Sequence, residues 1–108
     1  MAVHLLVTTT TPDRESGAKL AAAAVSARLA ATAQVTGPVA SFFWHLGEHG
    51  EGEEWNVTFK TTDARYADLE EHIVENHPWS KPEVTAVELV RGSAAYLQWV
   101  EESTATGG

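Results

Sequence analysis

The sequence contains no cysteine, and its one methionine is the first residue. Without thiols, neither a disulfide framework nor a thiolate metal site can form, and soft sulfur ligation of Cu(I) is not expected. Lysine and arginine together number 7 against 15 acidic residues, which gives a formal charge of −8. Nucleic acids and anionic membranes attract clustered basic side chains, so we expect neither as a partner.

Long hydrophobic runs are also missing. The apolar stretch at residues 1–7 is far too short to cross a bilayer, and no charged n-region of a signal peptide precedes it. We therefore predict no membrane partner and a cytoplasmic location. The 108 residues suffice for one packed domain. We predict a single domain over residues 1–103 and a flexible tail over residues 104–108, which offers nothing to bury.

The spacing of apolar residues predicts the order of the elements. A strand is followed by an alanine-rich helix, two strands joined by a hairpin, a second helix, a strand over residues 84–90 and a short C-terminal helix. This order predicts an α+β, ferredoxin-like βαββαβ fold, with an antiparallel four-stranded sheet and both long helices on one face. Right-handed crossovers place the first and third strands in the centre. His4, in the first strand, is expected to be a hydrogen-bonded structural histidine.

A long second strand, predicted over residues 33–46, carries large aromatic residues on both faces. Gly37 and Pro38 predict a bend or bulge within it. Beyond that point Phe43 shares one face with His45, and Trp44 lies on the other. The two helices of the chain can cover only one face of the sheet. Because an exposed edge strand of this kind invites aggregation, we predict that copies of the chain associate over it.

The acidic segment 47–54 combines glycines and carboxylates around His49 and is interpreted as the tip of the hairpin. Glu48, His49 and Glu51, together with His45, are weak candidates for metal ligands, because oxygen and imidazole ligands suit hard or borderline cations. A solvated acidic turn is the alternative, since no spacing here matches a known metal motif.

A stiff loop over residues 76–84 joins the second helix to the last strand. Pro78 and Pro82 fix the backbone on which His77, Trp79 and Glu83 are held. The three side chains could line a ligand site, or the loop could be only a well-specified connection. His77 could also act as a general base oriented by Glu83. No nucleophile motif or phosphate-binding glycine loop accompanies the pair, so we predict a protein that is not an enzyme.

Taken together, these segments resemble the CutA family, named for divalent-cation tolerance. The resemblance covers residues from about 6 to 103, and the motifs that carry it stand in the family's order. They are Thr9-Thr10-Thr11-Pro12-Asp13, Arg28-Leu29-Ala30-Ala31, Ser41-Phe42-Phe43-Trp44 with Gly47, Lys60-Thr61, and His77-Pro78 with Pro82-Glu83, Gly92, Tyr96-Leu97 and Trp99.

The resemblance implies a compact homotrimer of ferredoxin-like subunits, with the sheets facing the interior and the long hairpin strands pairing between subunits. It is similar in architecture to the PII signalling proteins. It also implies a bacterial cytoplasmic protein linked to copper and other divalent cations, without catalytic residues. Thr32 stands where many members of the family have a cysteine, Thr9 lies in the segment where some members also have one, and Trp79 replaces the usual tyrosine. Thiolate coordination is therefore absent, and the predicted inter-subunit cleft is more apolar.

Two functions follow as hypotheses. In the first, a trimer without a required cofactor binds Cu(II) or another divalent cation through nitrogen and oxygen ligands, chiefly His77 and Glu83. In the second, a PII-like signalling or scaffold trimer binds a small metabolite or a partner protein in clefts between subunits. The residues predicted to line these clefts are Phe43, Trp44, Lys60, His77, Trp79, Glu83, Tyr96 and Trp99.

Overall fold

An antiparallel four-stranded sheet forms the centre of the computed structural model, which describes residues 2–106. The elements are, in chain order, β1 His4–Thr11, α1 Arg14–Ser26, β2 Thr32–His45, β3 Glu48–Thr62, α2 Asp63–Asn76, β4 Thr85–Glu88 and α3 Ala94–Ser103. The strand order β2-β3-β1-β4 places β1 and β3 in the centre, and all three pairings are antiparallel. The predicted α+β arrangement is therefore confirmed, although β4 is shorter than the predicted strand 84–90.

The hydrophobic core lies between one face of the sheet and the helices α1 and α2. Alternate residues of β1 and β3 point into it, as the pleat of a strand requires. Val7 and Phe59 from the central strands are fully buried, as are Ala24 of α1 and Leu69 and Ile73 of α2. Both long helices thus cover the same face, which leaves the opposite face of the sheet without a long helix.

Helix α1 packs close to the sheet because its facing residues are small. A side chain at Gly17 would meet Thr11 Oγ1 and Val57 Cγ2 at 3.0 Å each. The helix starts at the N-cap Asp13, whose Oδ1 accepts a hydrogen bond from the Ser16 amide at 2.7 Å. This bond to the backbone holds the pKa of Asp13 below its usual value.

The β2–β3 hairpin extends well past the helices, and the described part of the molecule measures 46 × 25 × 21 Å. The pairing register of β2 shifts between Thr36 and Val39, around the cis peptide bond Gly37–Pro38. The predicted bulge is therefore confirmed. We call residues 39–54, which continue both strands beyond the bulge, the arm.

The predicted position of the hairpin tip was wrong. Strand β3 begins at Glu48, so most of the acidic segment 47–54 lies in a strand and not in a turn. The turn consists of Leu46 and Gly47, which both have positive φ, 52° and 79°, as in the two-residue turns that match strand twist. Gly50 stays in the ladder directly opposite Phe43, whose ring covers it.

We call the side of the sheet that faces away from α1 and α2 the open face. Polar and partly exposed residues dominate it in the central strands, among them Thr8 and Thr10 of β1 and Asn56, Thr58 and Lys60 of β3. At one end of this face His4 is buried, and its Nε2 lies 2.7 Å from Oε2 of Glu101 in α3. The prediction of a hydrogen-bonded structural histidine is confirmed.

Helix α3 docks through Val100, which is fully buried. Thr104 follows the helix and is also buried, with its hydroxyl donating to the Val100 carbonyl at 2.9 Å. Thr104 is thus packed against the domain, although residues from 104 onward were expected to have nothing to bury. The flexible tail over residues 104–108 stays a prediction. Ala105 and Thr106 are exposed, and residues 107 and 108 lie outside the described part of the chain. Within residues 2–106, no helix has the length and apolarity needed to cross a membrane.

Candidate functional site

His77 binds two backbone groups from different parts of the chain. Helix α2 ends at Asn76, and His77 follows with an extended backbone, φ −78° and ψ 142°. Its Nε2 donates to the carbonyl of Thr10 at 2.7 Å, and its Nδ1 accepts from the amide of Trp79 at 3.0 Å. A carbonyl can only accept and an amide N–H can only donate, so the ring is the neutral tautomer with its proton on Nε2.

These bonds give His77 a structural position at the edge of β1. Strand β4 pairs with residues Leu5 to Thr8 of β1, and the carbonyl of Thr10 lies beyond that pairing. His77 therefore supplies the donor that a longer β4 would have supplied. To coordinate a cation, the ring would have to give up one of its two hydrogen bonds.

Glu83 does not orient His77. Its Oε2 accepts a hydrogen bond from the hydroxyl of Thr85 at 2.8 Å, whereas both nitrogens of His77 bond to the backbone. The side chain that contacts the ring of His77 is Trp79, and the two ring centroids lie 5.2 Å apart. Trp79 itself is 37% exposed. The acid–base pair of His77 and Glu83 that was considered from the sequence is therefore not assembled in this chain. The two side chains bind other groups instead.

The arm carries the other predicted ligands, but on opposite faces. His45 and Glu48 are direct cross-strand partners and share one face. Trp44 pairs with His49 on the other face, where the two rings lie 5.8 Å apart in an edge-on contact. Since side chains alternate along a strand, the predicted set of His45, Glu48, His49 and Glu51 is split in two. Throughout residues 2–106, no group of three or more histidine, aspartate or glutamate side chains is placed to hold a metal ion.

The remaining predicted residues lie in separate places. Lys60 is partly exposed on the open face, between Leu6 and Thr32 in the register, and its ammonium has no ion-pair partner within the described residues. Tyr96 and Trp99 contact each other on α3, with ring centroids 5.5 Å apart, and are 40% and 44% exposed. Within one chain, the predicted cleft residues therefore form several patches and not one pocket.

The sequence interpretation missed a cleft of about 480 Å³ between the start of α2 and the end of α3. The residues that line it are Ala2, Val3, Thr62, Asp63, Ala64, Arg65, Glu101, Thr104, Ala105 and Thr106. Its walls come from segments nearly a whole chain length apart, as the contact of His4 with Glu101 shows. The only signal in the sequence was Thr62 followed by Asp63, which marks a helix start.

Comparison with protein families assigns most of the chain to one group. Residues 5–103 match the family described as CutA1 divalent ion tolerance protein. The chain is 32% identical over 99 residues to the divalent-cation tolerance protein CutA of Thermus thermophilus, covering 92% of this chain and 96% of the relative. It is also 32% identical over 100 residues to the chloroplastic protein CutA 1 of Oryza sativa subsp. japonica.

The rice relative is a longer protein, since the match covers 93% of this chain but 56% of that relative. Its name places it in the chloroplast, so the cytoplasmic location of this chain remains a prediction. Among solved structures, CutA1 from Oryza sativa superposes with a TM-score of 0.93 at 30% identity, covering 97% of this chain and 96% of that one. The fold is therefore shared over nearly the whole chain.

Proposed function

Because the chain belongs to the CutA1 family of divalent ion tolerance proteins, we propose that it associates into a homotrimer and binds divalent cations through nitrogen and oxygen ligands at the arm. The observation that carries this proposal is the exposure of the arm. Its side chains include aromatic residues that need a cover and acidic residues that can meet a cation. The proposed role is binding and not catalysis.

The proposal of association rests on the apolar surface of the arm. Phe42 is 63% exposed, Trp44 76% and Leu46 90%. Strand β2, 14 residues long, is also an edge strand, and its outer backbone groups have no neighbouring strand among residues 2–106. Large exposed apolar surfaces and long free edges mark sites of protein association. A second copy of the chain would cover both.

The proposal of cation binding rests on the pair His45 and Glu48. The two residues face each other across the arm, so an imidazole and a carboxylate stand side by side. This combination suits borderline cations such as Cu(II) and Zn(II). Two ligands alone bind a cation weakly, and the arm of another copy of the chain can supply further ligands. His77 is less suited to this role, because both of its nitrogens are already hydrogen-bonded.

Titration calorimetry with Cu(II) and Zn(II) tests the cation site. We expect His45→Ala and Glu48→Gln each to lower the affinity about tenfold or more, whereas His49→Ala, on the opposite face of the same arm, leaves it unchanged. Binding that is equal in wild type and His45→Ala would refute the site. Light scattering on a sizing column tests the assembly, and a monomeric mass at micromolar concentration would refute the trimer.

A further inference from the structure

We infer that the arm carries a second cation site, on the face opposite His45 and Glu48, and that this site takes an organic cation with an alkylated nitrogen. Phe42, Trp44 and Glu51 form the site. It binds through aromatic faces and a carboxylate and not through metal ligands, so it goes beyond the tolerance of metal cations.

The aromatic part of the site is a corner made of three rings. Trp44 of β2 and His49 of β3 are direct cross-strand partners, and Phe42 lies two residues before Trp44 on the same face. The imidazole of His49 is nearly parallel to the ring of Phe42, at 19° with centroids 6.3 Å apart. It is nearly perpendicular to the ring of Trp44, at 79° with centroids 5.8 Å apart. Phe42 is 63% exposed and Trp44 76%, so most of both side chains is open to a ligand.

The negative charge of the site comes from the neighbouring strand. Glu51 is the cross-strand partner of Phe42, and Glu53 lies two residues further along β3 on the same face. Neither carboxylate makes an ion pair within residues 2–106. The arm contains four glutamates and no lysine or arginine. Both the carboxylates and the negative faces of the rings therefore favour a positively charged ligand here.

The chemistry of the corner selects an alkylated ammonium group over a metal ion. A metal ion needs lone pairs from oxygen, nitrogen or sulfur, and the rings of Phe42 and Trp44 offer none. A bare ammonium group has three hydrogen bonds to donate, whereas Glu51 is the one acceptor side chain directly opposite Phe42. An alkylated ammonium spreads its charge over carbon atoms that need no acceptor, and aromatic faces attract it for that reason.

A single chain forms this site, but the association of copies would strengthen it. Cation–π attraction is weak at exposed positions and increases when water is excluded. A second copy that covers the arm, as proposed for the trimer, also encloses the corner. The inference therefore rests on the proposed association for the strength of binding, and not for its location.

Titration with tetramethylammonium tests the site, followed by nuclear magnetic resonance of the tryptophan indole N–H groups. We expect a saturable shift of the Trp44 signal, with a dissociation constant in the millimolar range. tert-Butanol, a neutral molecule of similar shape, and sodium chloride at equal ionic strength should act much more weakly. An equal effect of either control, or no saturation by about 0.1 M, would overturn the inference. Binding that disappears as the copies associate would show that a second copy fills the corner, which overturns it as well.

Variants then locate the site through the methyl signal of tetramethylammonium. Trp44→Leu and Phe42→Leu should each lower the affinity about threefold to fivefold. Glu51→Gln should weaken both the binding and its dependence on salt, and Glu54→Gln, on the opposite face of the same strand, is the matched control. Unchanged affinity in Trp44→Leu would refute the site. Titrating Trp44→Leu with Cu(II) and His45→Ala with tetramethylammonium separates the two cation sites, so either proposal can fail without the other.

Discussion

Replacing His77 by alanine should destabilise the chain without removing a cation ligand. The substitution removes the donor to the Thr10 carbonyl and the acceptor for the Trp79 amide, at 2.7 and 3.0 Å. Each such bond contributes about 0.5–1.5 kcal/mol net. The expected loss in the free energy of unfolding is therefore about 1–3 kcal/mol.

The variant His77→Asn separates the contributions of the two hydrogen bonds to stability. An asparagine followed by proline can accept from the amide two residues later, which is the bond that His77 makes to Trp79. The shorter side chain does not reach the carbonyl of Thr10. His77→Asn should therefore lose about half as much stability as His77→Ala, or about 0.5–1.5 kcal/mol.

Urea unfolding followed by tryptophan fluorescence measures both losses, because Trp79 contacts the histidine ring. The midpoint should fall while the slope stays constant, and several protein concentrations separate unfolding from dissociation. If His77→Ala unfolds at the wild-type midpoint but no longer binds Cu(II), the structural reasoning fails and His77 is a ligand. Equal losses in the two variants would refute the division between the bonds.

Two further predictions concern Thr9 in β1 and Asp13 at the start of α1. Thr9 is fully buried with a hydroxyl that has no partner among residues 2–106, so Thr9→Val should raise the free energy of unfolding by about 1 kcal/mol in urea titrations. Thr9→Ser should lower it by a similar amount, and a loss in Thr9→Val would show that the hydroxyl has a partner such as water. The pKa of Asp13 is lowered by the Ser16 amide, so this cap stabilises above the unfolded pKa near 4 and its contribution is lost as the pH falls through the lower, folded pKa. Melting temperatures from pH 6 to about 2.5 should therefore drop more in wild type than in Asp13→Asn, which caps without a charge, and parallel curves would contradict this.

The sequence predicted the order and pairing of the elements because each has a clear periodicity. The alternation of Val57 and Phe59 with polar residues marked a half-buried central strand, and α2 showed an apolar stripe that included Leu69 and Ile73. These patterns follow from local geometry, since side chains alternate on strands and recur every three to four residues on helices. The bulge at Gly37–Pro38 was equally visible.

The arm was misinterpreted because glycine has two uses in a hairpin. Gly50 and Gly52 looked like turn residues, yet they continue β3 opposite Phe43 and Ser41. A glycine across from an aromatic residue leaves room for the ring, and a strand accepts it there. The real turn contains Leu46, a residue that propensity does not place at positive φ.

The candidate site residues could be named from the sequence, but the residues that they contact could not be predicted from it. His77 was predicted to be a metal ligand or a cleft residue, whereas its Nε2 donates to the carbonyl of Thr10, 67 residues away. His4 and Glu101 are 97 residues apart. Such contacts depend on how the elements pack, which periodicity does not encode, so the cleft at α2 escaped detection altogether.

The arm and the body of this chain are under different constraints. Trp44 and Leu46 are 76% and 90% exposed, whereas a smaller side chain at Phe59 or Ile73 would open a cavity in the core. Substitutions at these exposed positions of the arm are therefore expected to change its surface without unfolding the domain. A hairpin that lies outside the core is in this sense a modular element, which can acquire new surfaces and new partners while the domain that presents it stays the same.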